Sequence, residues 1–424
     1  MSLAREIWEL RHERPLLVAL SVFTVASIVV WPLVDALLAR SGVVHVSPYG
    51  FNDFGAYYIA VDNWLSGEPI YTEADDGGFH GSYLYPPFVL PLFYPFTRLG
   101  FSAGGALFGA FSLVLLWVGV EAVLGELGYD LTVPERLLAL FALFGFQPAL
   151  WDFKWGQVST LLAALLCFAF YTHERGERNH TGNQYLSGIL TALASGVKLF
   201  YATSGAHLLR DWRRLLAGVG TAVFALGASL LAFGLETHRL YLDVLAWGKG
   251  WGTGQHPPAS NQTAYYRPLY LLDQVVETVG VSLPSVWMLV ATGAGILAVA
   301  TLALLARTNP TASRATFVLG VAVIPLFAPR AYTHDLVVLV LPAVVLFVSE
   351  LEREDGYPLI PLIAVLLLHT HVYGTRVALH LLDPSWAVVL QPGVYGTLLL
   401  VGLAAGRTFE CAREELPPKV SRET

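Results

Sequence analysis

Charge is scarce in this chain. Only 13% of its 424 residues are charged, about half the share carried by a soluble globular domain. Cysteine is scarcer still. Cys167 and Cys411 both lie in or beside apolar segments, which excludes a disulfide scaffold and a thiolate metal site. Lysine supplies four of the 25 basic residues, and the net charge of −7 gives no reason to expect a nucleic-acid partner. The arginine-rich, acidic balance suits a GC-rich or salt-adapted source. Gly-rich phosphate loops, nucleotide signatures and Ser-His-Asp arrangements are absent, and the histidines lack ligand spacing, so no metal or cofactor is expected. What is abundant is apolar sequence: 55% hydrophobic residues and a mean hydropathy of +0.57. Runs of membrane-spanning length recur from end to end with short polar breaks. A soluble enzyme and a disordered chain are therefore excluded, leaving an all-α polytopic membrane protein.

The first run, Leu16 to Leu38, is too long for a signal-peptide core and reads as a retained span. Arg5, Arg11 and Arg14 precede it, placing the N-terminus in the cytoplasm. An acidic external segment, 39–100, follows. Further spans are expected near 101–124, 136–149, 158–172, 184–197, 199–209, 215–234, 285–306, 315–329, 335–349, 358–372 and 386–406. Alternating sides gives about twelve crossings with both termini cytoplasmic and a cytoplasmic tail over 407–424. Arg175 and Arg178, then Arg210, Arg213 and Arg214, then Arg307 and Arg314 all fall inside on this count. Several spans are short and read as broken or re-entrant helices. The whole of 1–424 forms one membrane domain with no repeat, and 235–268 reads as a mobile external loop.

On this topology the unusual polar residues gather outside. Phe54, Tyr57, Tyr58, Val61 and Leu65 form the stripe of an amphipathic helix lying along the membrane surface. Asn52 and Asp53 sit at its start, where either can simply cap it. Tyr83, Tyr85, Pro86 and Pro87 make an interfacial anchor or a groove wall for a lipid or sugar. Trp151 to Gln157 is a short outer turn, in which Gln157 offers donors and acceptors and the tryptophans offer stacking faces. Lys198 is an intramembrane cation, costly on an apolar span; it either snorkels to a nearby surface or holds an anionic lipid phosphate. The glycine-rich 235–268 segment carries Asn261, Gln262 and Thr263, which also match an N-glycosylation pattern. Arg330, His334 and Asp335 cluster between two late spans, and His334 can bond or carry charge near neutral pH.

Taken in order, the motifs resemble glycosyltransferase family 87. The resemblance rests on Asn52-Asp53-Phe54 with paired tyrosines, Tyr85-Pro86-Pro87, Gly156-Gln157, Lys198, Asn261-Gln262-Thr263 and Tyr332-Thr333-His334-Asp335. It implies a GT-C fold, with interfacial helices in the first external loop. It also implies transfer of mannose from a polyprenyl-phosphate donor to a lipid-linked glycan outside the cytoplasm. Under that resemblance Asp53 is the catalytic carboxylate, His334 contacts the donor phosphate or assists at the reacting centre, and Lys198 binds donor phosphate. Thr263 stands where serine is usual, and Phe200 where a proline often follows the lysine.

The chemistry fits the residues directly. Sugar transfer from a phosphate-linked lipid needs a base for the acceptor hydroxyl and cations for the leaving phosphate. Asp53 suits the first task; Lys198, Arg330 and His334 suit the second. Asn52, Tyr57, Tyr85, Gln157, Asn261 and Gln262 are candidate substrate contacts, and a single inverting displacement is expected. The partners would be a polyprenyl- or dolichyl-phosphate sugar donor, a glycolipid or glycan acceptor, and the lipids of the plasma membrane, with the site facing outside. The rival reading is a transporter or flippase of lipid-linked sugars, which predicts polar residues spread through the bilayer and related halves. A non-catalytic scaffold for envelope-glycan assembly is a third.

Overall fold

The computed structural model describes residues 2–41, 49–73, 78–79, 81–179, 183–250, 265–266, 276, 280–281, 287–309, 312–328, 331–372, 381–382 and 390–414. Helices dominate it. The single sheet among the described residues is a two-residue antiparallel pair, β1 (Tyr265–Tyr266) against β2 (Ala331–Tyr332), with Tyr265 opposite Tyr332. In chain order the first helices are α1 (Leu3–Glu9), α2 (Pro15–Ser41), α3 (Asn52–Ser66), α4 (Tyr94–Thr97), α5 (Phe101–Glu126), α6 (Val133–Gly145) and α7 (Gln147–Trp155). Then come α8 (Ser159–Asn179), α9 (Asn183–Val197), α10 (Trp212–Gly250), α11 (Trp287–Leu305), α12 (Ala312–Ala322), α13 (Ile324–Phe327), α14 (Val340–Leu351), α15 (Leu359–His369) and α16 (Pro392–Glu414). Three stretches of 3₁₀ helix, Pro87–Leu92, Leu199–Arg210 and Thr333–Leu339, interrupt the series.

Among the described residues, four helices are long and apolar enough to cross a membrane: Pro15–Arg40, Phe101–Glu126, Trp212–Trp247 and Thr333–Leu351. The pair α6 and α7 makes a fifth if its 65° bend is counted within one span. Phe146 between them is extended and Pro148 opens the second helix, so the backbone ladder cannot run through. The outer turn expected at Trp151 to Gln157 is therefore mostly the last part of α7. Shorter apolar helices, among them α12 with α13 and α15, complete the bundle. One continuous core joins α2, α3, α5, α8, α12, α14 and α16.

Three expected boundaries move. The segment 235–250, expected as the start of a mobile loop, is helical. The chain turns at Gly234, whose φ of 75° and ψ of 167° lie in a region essentially reserved for glycine, and then resumes its helix. It holds that helix because Leu240, Tyr241, Val244 and Trp247 recur on one face and pack on the core. Tyr241 stacks on Tyr71 at 5.9 Å and Trp247 meets Phe79 at 5.9 Å, pinning this half of α10 onto the first external segment. At the other end of the chain, α16 continues through Glu414, so 407–414 is helix and not loose tail. Buried Arg407 grips Glu350 of α14 in a two-pronged ion pair, at 2.7 and 2.6 Å, and holds that extension down. The expected span at 199–209 is a 3₁₀ helix of 12 residues, a broken continuation of α9.

Candidate functional site

The candidate site assembles where α3, the Tyr83–Pro86 segment, the end of α7, the start of α8 and the two late 3₁₀ helices converge. Its first fixed point is the entry to α3. Phe51 adopts the left-handed conformation (φ 48°), uncommon for a bulky residue, and caps the helix without a side-chain bond. Its N–H donates to the carbonyl of Lys154 at 2.9 Å, and its ring packs edge-on against Phe153. Asp53 is the second residue of the helix, and it is not spent on capping. Its Oδ2 accepts from Gln157 Nε2 at 2.7 Å.

Gln157 reaches Asp53 because Gly156 ends α7 in the left-handed region (φ 69°). A Cβ there would stand 2.6 Å from Phe54 Cβ, so both the turn and the close approach require glycine. The amide oxygen of Gln157 takes the Tyr85 hydroxyl at 2.9 Å, the Tyr57 hydroxyl at 3.1 Å and the Val158 N–H at 3.2 Å. With the oxygen so occupied, the NH₂ end must face Asp53. Burial raises the Tyr57 and Tyr85 hydroxyls above their ordinary range, so both stay protonated donors. Burial likewise raises the Asp53 carboxyl to about 6, opposed by the Gln157 bond and the nearby Lys198 charge and helped by Asp335.

Beside this carboxylate lies a buried ion pair. Lys198, between α9 and the Leu199–Arg210 helix, donates to Asp335 Oδ1 at 2.6 Å and to Ser159 Oγ at 2.9 Å. Ser159 in turn donates to Asp335 at 2.9 Å, and the other Asp335 oxygen accepts the Tyr332 N–H at 2.9 Å. Asp152 takes the free N–H groups of Ser159 and Thr160, both at 3.1 Å, and so caps α8 and fixes Ser159. His334 is buried, stacked on Tyr332 at 5.2 Å, with Nε2 3.8 Å from Asp335.

Of the residues singled out from sequence, Asp53, Tyr57, Tyr85, Gln157 and Lys198 thus meet in one cluster, with His334 at its edge against Asp335. Asn52 is exposed and lies against Gly50. Arg330, Asn261 and Gln262 lie outside the described residues. Lys198 is held by a partner and does not snorkel free. Two residues without an assigned role are central. Asp335 was visible beside His334, and its position after a polar loop was the available signal. Ser159 carried none. Next to the cluster is a cavity of about 190 Å³ with an almost wholly apolar lining that includes Pro86, Pro87, Phe88, Gly196, Leu199 and Tyr241.

A model of glycosyltransferase family 87 matches residues 83–329. The chain is 28% identical over 223 residues to a polyprenol-phosphate-mannose-dependent α-(1-2)-phosphatidylinositol pentamannoside mannosyltransferase of Mycolicibacterium smegmatis, covering 50% of this chain and 52% of that protein. It is 28% identical over 171 residues to a Mycobacterium tuberculosis protein of the same description, covering 38% and 37%. To an α-(1→3)-arabinofuranosyltransferase of M. smegmatis it is 29% identical over 238 residues, covering 55% and 50%. The chain spans about half the length, or less, of these curated relatives. No solved structure matches.

Proposed function

Because the chain belongs to glycosyltransferase family 87, we propose that it moves a sugar, mannose in the first instance, from a polyprenyl-phosphate donor to a glycolipid or glycan acceptor. Asp53 is the base. It takes the proton of the acceptor hydroxyl, whose oxygen bonds to the anomeric carbon as the carbon–oxygen bond to phosphate breaks. The polyprenyl phosphate leaves from the opposite face, so the reaction inverts the anomeric centre in one displacement. A carboxyl raised to about 6 accepts a proton better than an ordinary carboxylate, yet is largely ionised at neutral pH.

The observation that carries this reading is the pairing of the Asp53 carboxylate with a cation-bearing wall. Gln157 holds Asp53, and Lys198, bonded to Asp335, is close enough to lower the Asp53 carboxyl by its charge. An ammonium has three donors, and two of those on Lys198 are bonded in the described structure, so the third is available to a phosphate oxygen. His334 and Arg330 share that charge in our reading, while Tyr57, Tyr85, Gln157, Asn52, Asn261 and Gln262 contact the sugars. The apolar cavity supports a place for the start of the polyprenyl chain, since its wall residues Pro86 and Leu199 directly follow Tyr85 and Lys198 in sequence.

About twelve crossings, a site facing outward from the plasma membrane and both termini in the cytoplasm belong to the same reading. Arg175, Arg178, Arg210, Arg213 and Arg214 support it, because they cluster on the ends of α8, the 3₁₀ helix and α10 remote from Asp53. A second sugar class has an observation in its favour: one relative carries arabinofuranosyltransferase in its name.

The test uses purified protein in lipid with polyprenyl-phosphate mannose, then the arabinofuranosyl donor, and a glycolipid extract as acceptor. Transfer by the wild type that disappears in Asp53→Asn, with donor binding kept, supports the enzyme and its base. Equal transfer by both removes Asp53 from the chemistry. Failure with every donor, together with lipid-sugar flipping in vesicles, favours a transporter.

A further inference from the structure

The first apolar run contains a single charged residue, Asp35. It does not face solvent. It is 3% exposed and pairs at 2.5 Å with Lys154 of α7, itself 1% exposed. A buried pair of this kind gives little net stability against apolar residues of the same volume, because desolvating two charges offsets their attraction. Its position is more informative than its energy.

Lys154 is joined to every part of the turn that presents Asp53. Its carbonyl accepts the N–H of Phe51, the left-handed residue two places before Asp53. Its ammonium lies 5.1 Å from the Tyr49 ring, on the chain entering α3. The neighbouring Phe153 ring contacts both Tyr49 and Phe51, at 6.3 and 6.2 Å. Two residues beyond Lys154, Gly156 makes the turn that sends Gln157 to Asp53. The α2 helix is thereby tied, through one ion pair, to both partners of the Asp53–Gln157 bond.

We propose that Asp35 and Lys154 are a positioning pair for sugar transfer: α2 anchors the end of α7 and the entry of α3 so that the Asp53 carboxylate is held at Gln157. The proposal rests on the reading of Asp53 as the base. Neither residue touches the reacting atoms. A misplacement of about 1 Å at a reacting group can cost on the order of 10²-fold in rate, which sets the size of the effect.

The decisive variant is the double substitution Asp35→Leu with Lys154→Met, which removes both charges of the pair together. Three quantities are measured on the protein in lipid: thermal midpoint, kcat and KM for transfer, and the titration of the Asp53 carboxyl. The last comes from infrared difference spectra against Asp53→Asn made in each background. The groups facing Asp53 are Lys198, Asp335, Gln157 and, through Gln157, Tyr57 and Tyr85; all remain in the double variant. A positioning role predicts a thermal midpoint near that of the wild type, kcat lower by about 10²-fold with KM little changed, and a carboxyl midpoint that falls as water reaches the loosened site.

An unchanged kcat or an unchanged carboxyl midpoint in the double variant overturns the proposal and leaves the pair a packing feature. If the wild type transfers no sugar at all, the reading of function fails separately. The carboxyl titration then decides the tether by itself: a fall supports it and an unchanged midpoint overturns it.

Discussion

Two buried polar clusters share the same pair of helices and are built differently. The first, around Ser159 and Lys198, sits at the start of α8 and of the Leu199–Arg210 helix. The second includes His173 and His207 of those same helices, about 21 Å further along α8 at 1.5 Å per residue. There, Arg214 of α10 donates to His173 at 2.6 Å and pairs with Glu177 at 2.6 Å, while Arg314 pairs with Glu174 at 2.9 Å. The other nitrogen of His173 bonds Ser313 at 2.8 Å, and His207 bonds Ser187 at 2.9 Å. In the second cluster the cations meet carboxylates directly. In the first, Lys198 and Asp335 are paired, but Asp53 makes no ion pair among the described residues and is held only by an amide. A structural network neutralises its charges; a carboxylate kept next to a cation but bonded to an amide is free to take a proton.

The contrast is broken most severely at Asp53. Asp53→Asn keeps a hydrogen-bonding group toward Gln157 and removes the base, so turnover should fall by about 10²–10⁴-fold. Binding of a labelled polyprenyl phosphate should persist. Glu350→Gln, on the pair that anchors α16, should do the reverse. Arg407 keeps Glu410 at 2.7 Å, so losing the buried carboxylate costs about 1.5–3 kcal/mol of stability, read as a lower thermal midpoint, with turnover per folded molecule preserved. Gly156→Ala tests geometry between these extremes. A side chain at φ 69° against Phe54 carries strain of about 1–3 kcal/mol, and it should lower kcat and the thermal midpoint together.

The last effect is in pH. The transfer rate should rise through a midpoint near the Asp53 value of about 6, changing close to tenfold per unit below it. Because the folded value lies above that of the unfolded chain, Asp53 favours the fold at low pH, and that contribution is lost as pH rises from about 4 to about 6. Asp53→Asn should therefore melt above the wild type at pH 7 and no longer do so near pH 4. A rate profile flat across this range would place the base elsewhere.

Much of the site was legible because its residues are out of place in an apolar chain. Asp53, Gln157 and Lys198 stand out by cost alone, and Tyr57 by its spacing on α3. The sequence leaves Lys198 either to snorkel or to bind phosphate; its partner, Asp335, lies 137 positions away, and no local pattern announces a contact at that distance. Asp35 is the sole charge in its run, yet its meaning depends on Lys154 being buried opposite it. The loop expected from 235 onward is helical to residue 250 for a related reason. Its glycines argued for mobility, whereas Leu240, Tyr241, Val244 and Trp247 pack onto a surface formed by residues far earlier in the chain.

Composition and periodicity alone determined that the chain is helical and made for a membrane, and they determined which side chains are too costly to be incidental. Those are properties of transfer from water to an apolar medium, which each segment pays or gains by itself. Tertiary structure decided what the costly side chains do: which charge Lys198 neutralises, which face of Gln157 meets Asp53, and where α10 turns back. Each depends on groups brought together from distant segments, where buried electrostatics and hydrogen bonds acquire their strength only once the bundle has excluded water.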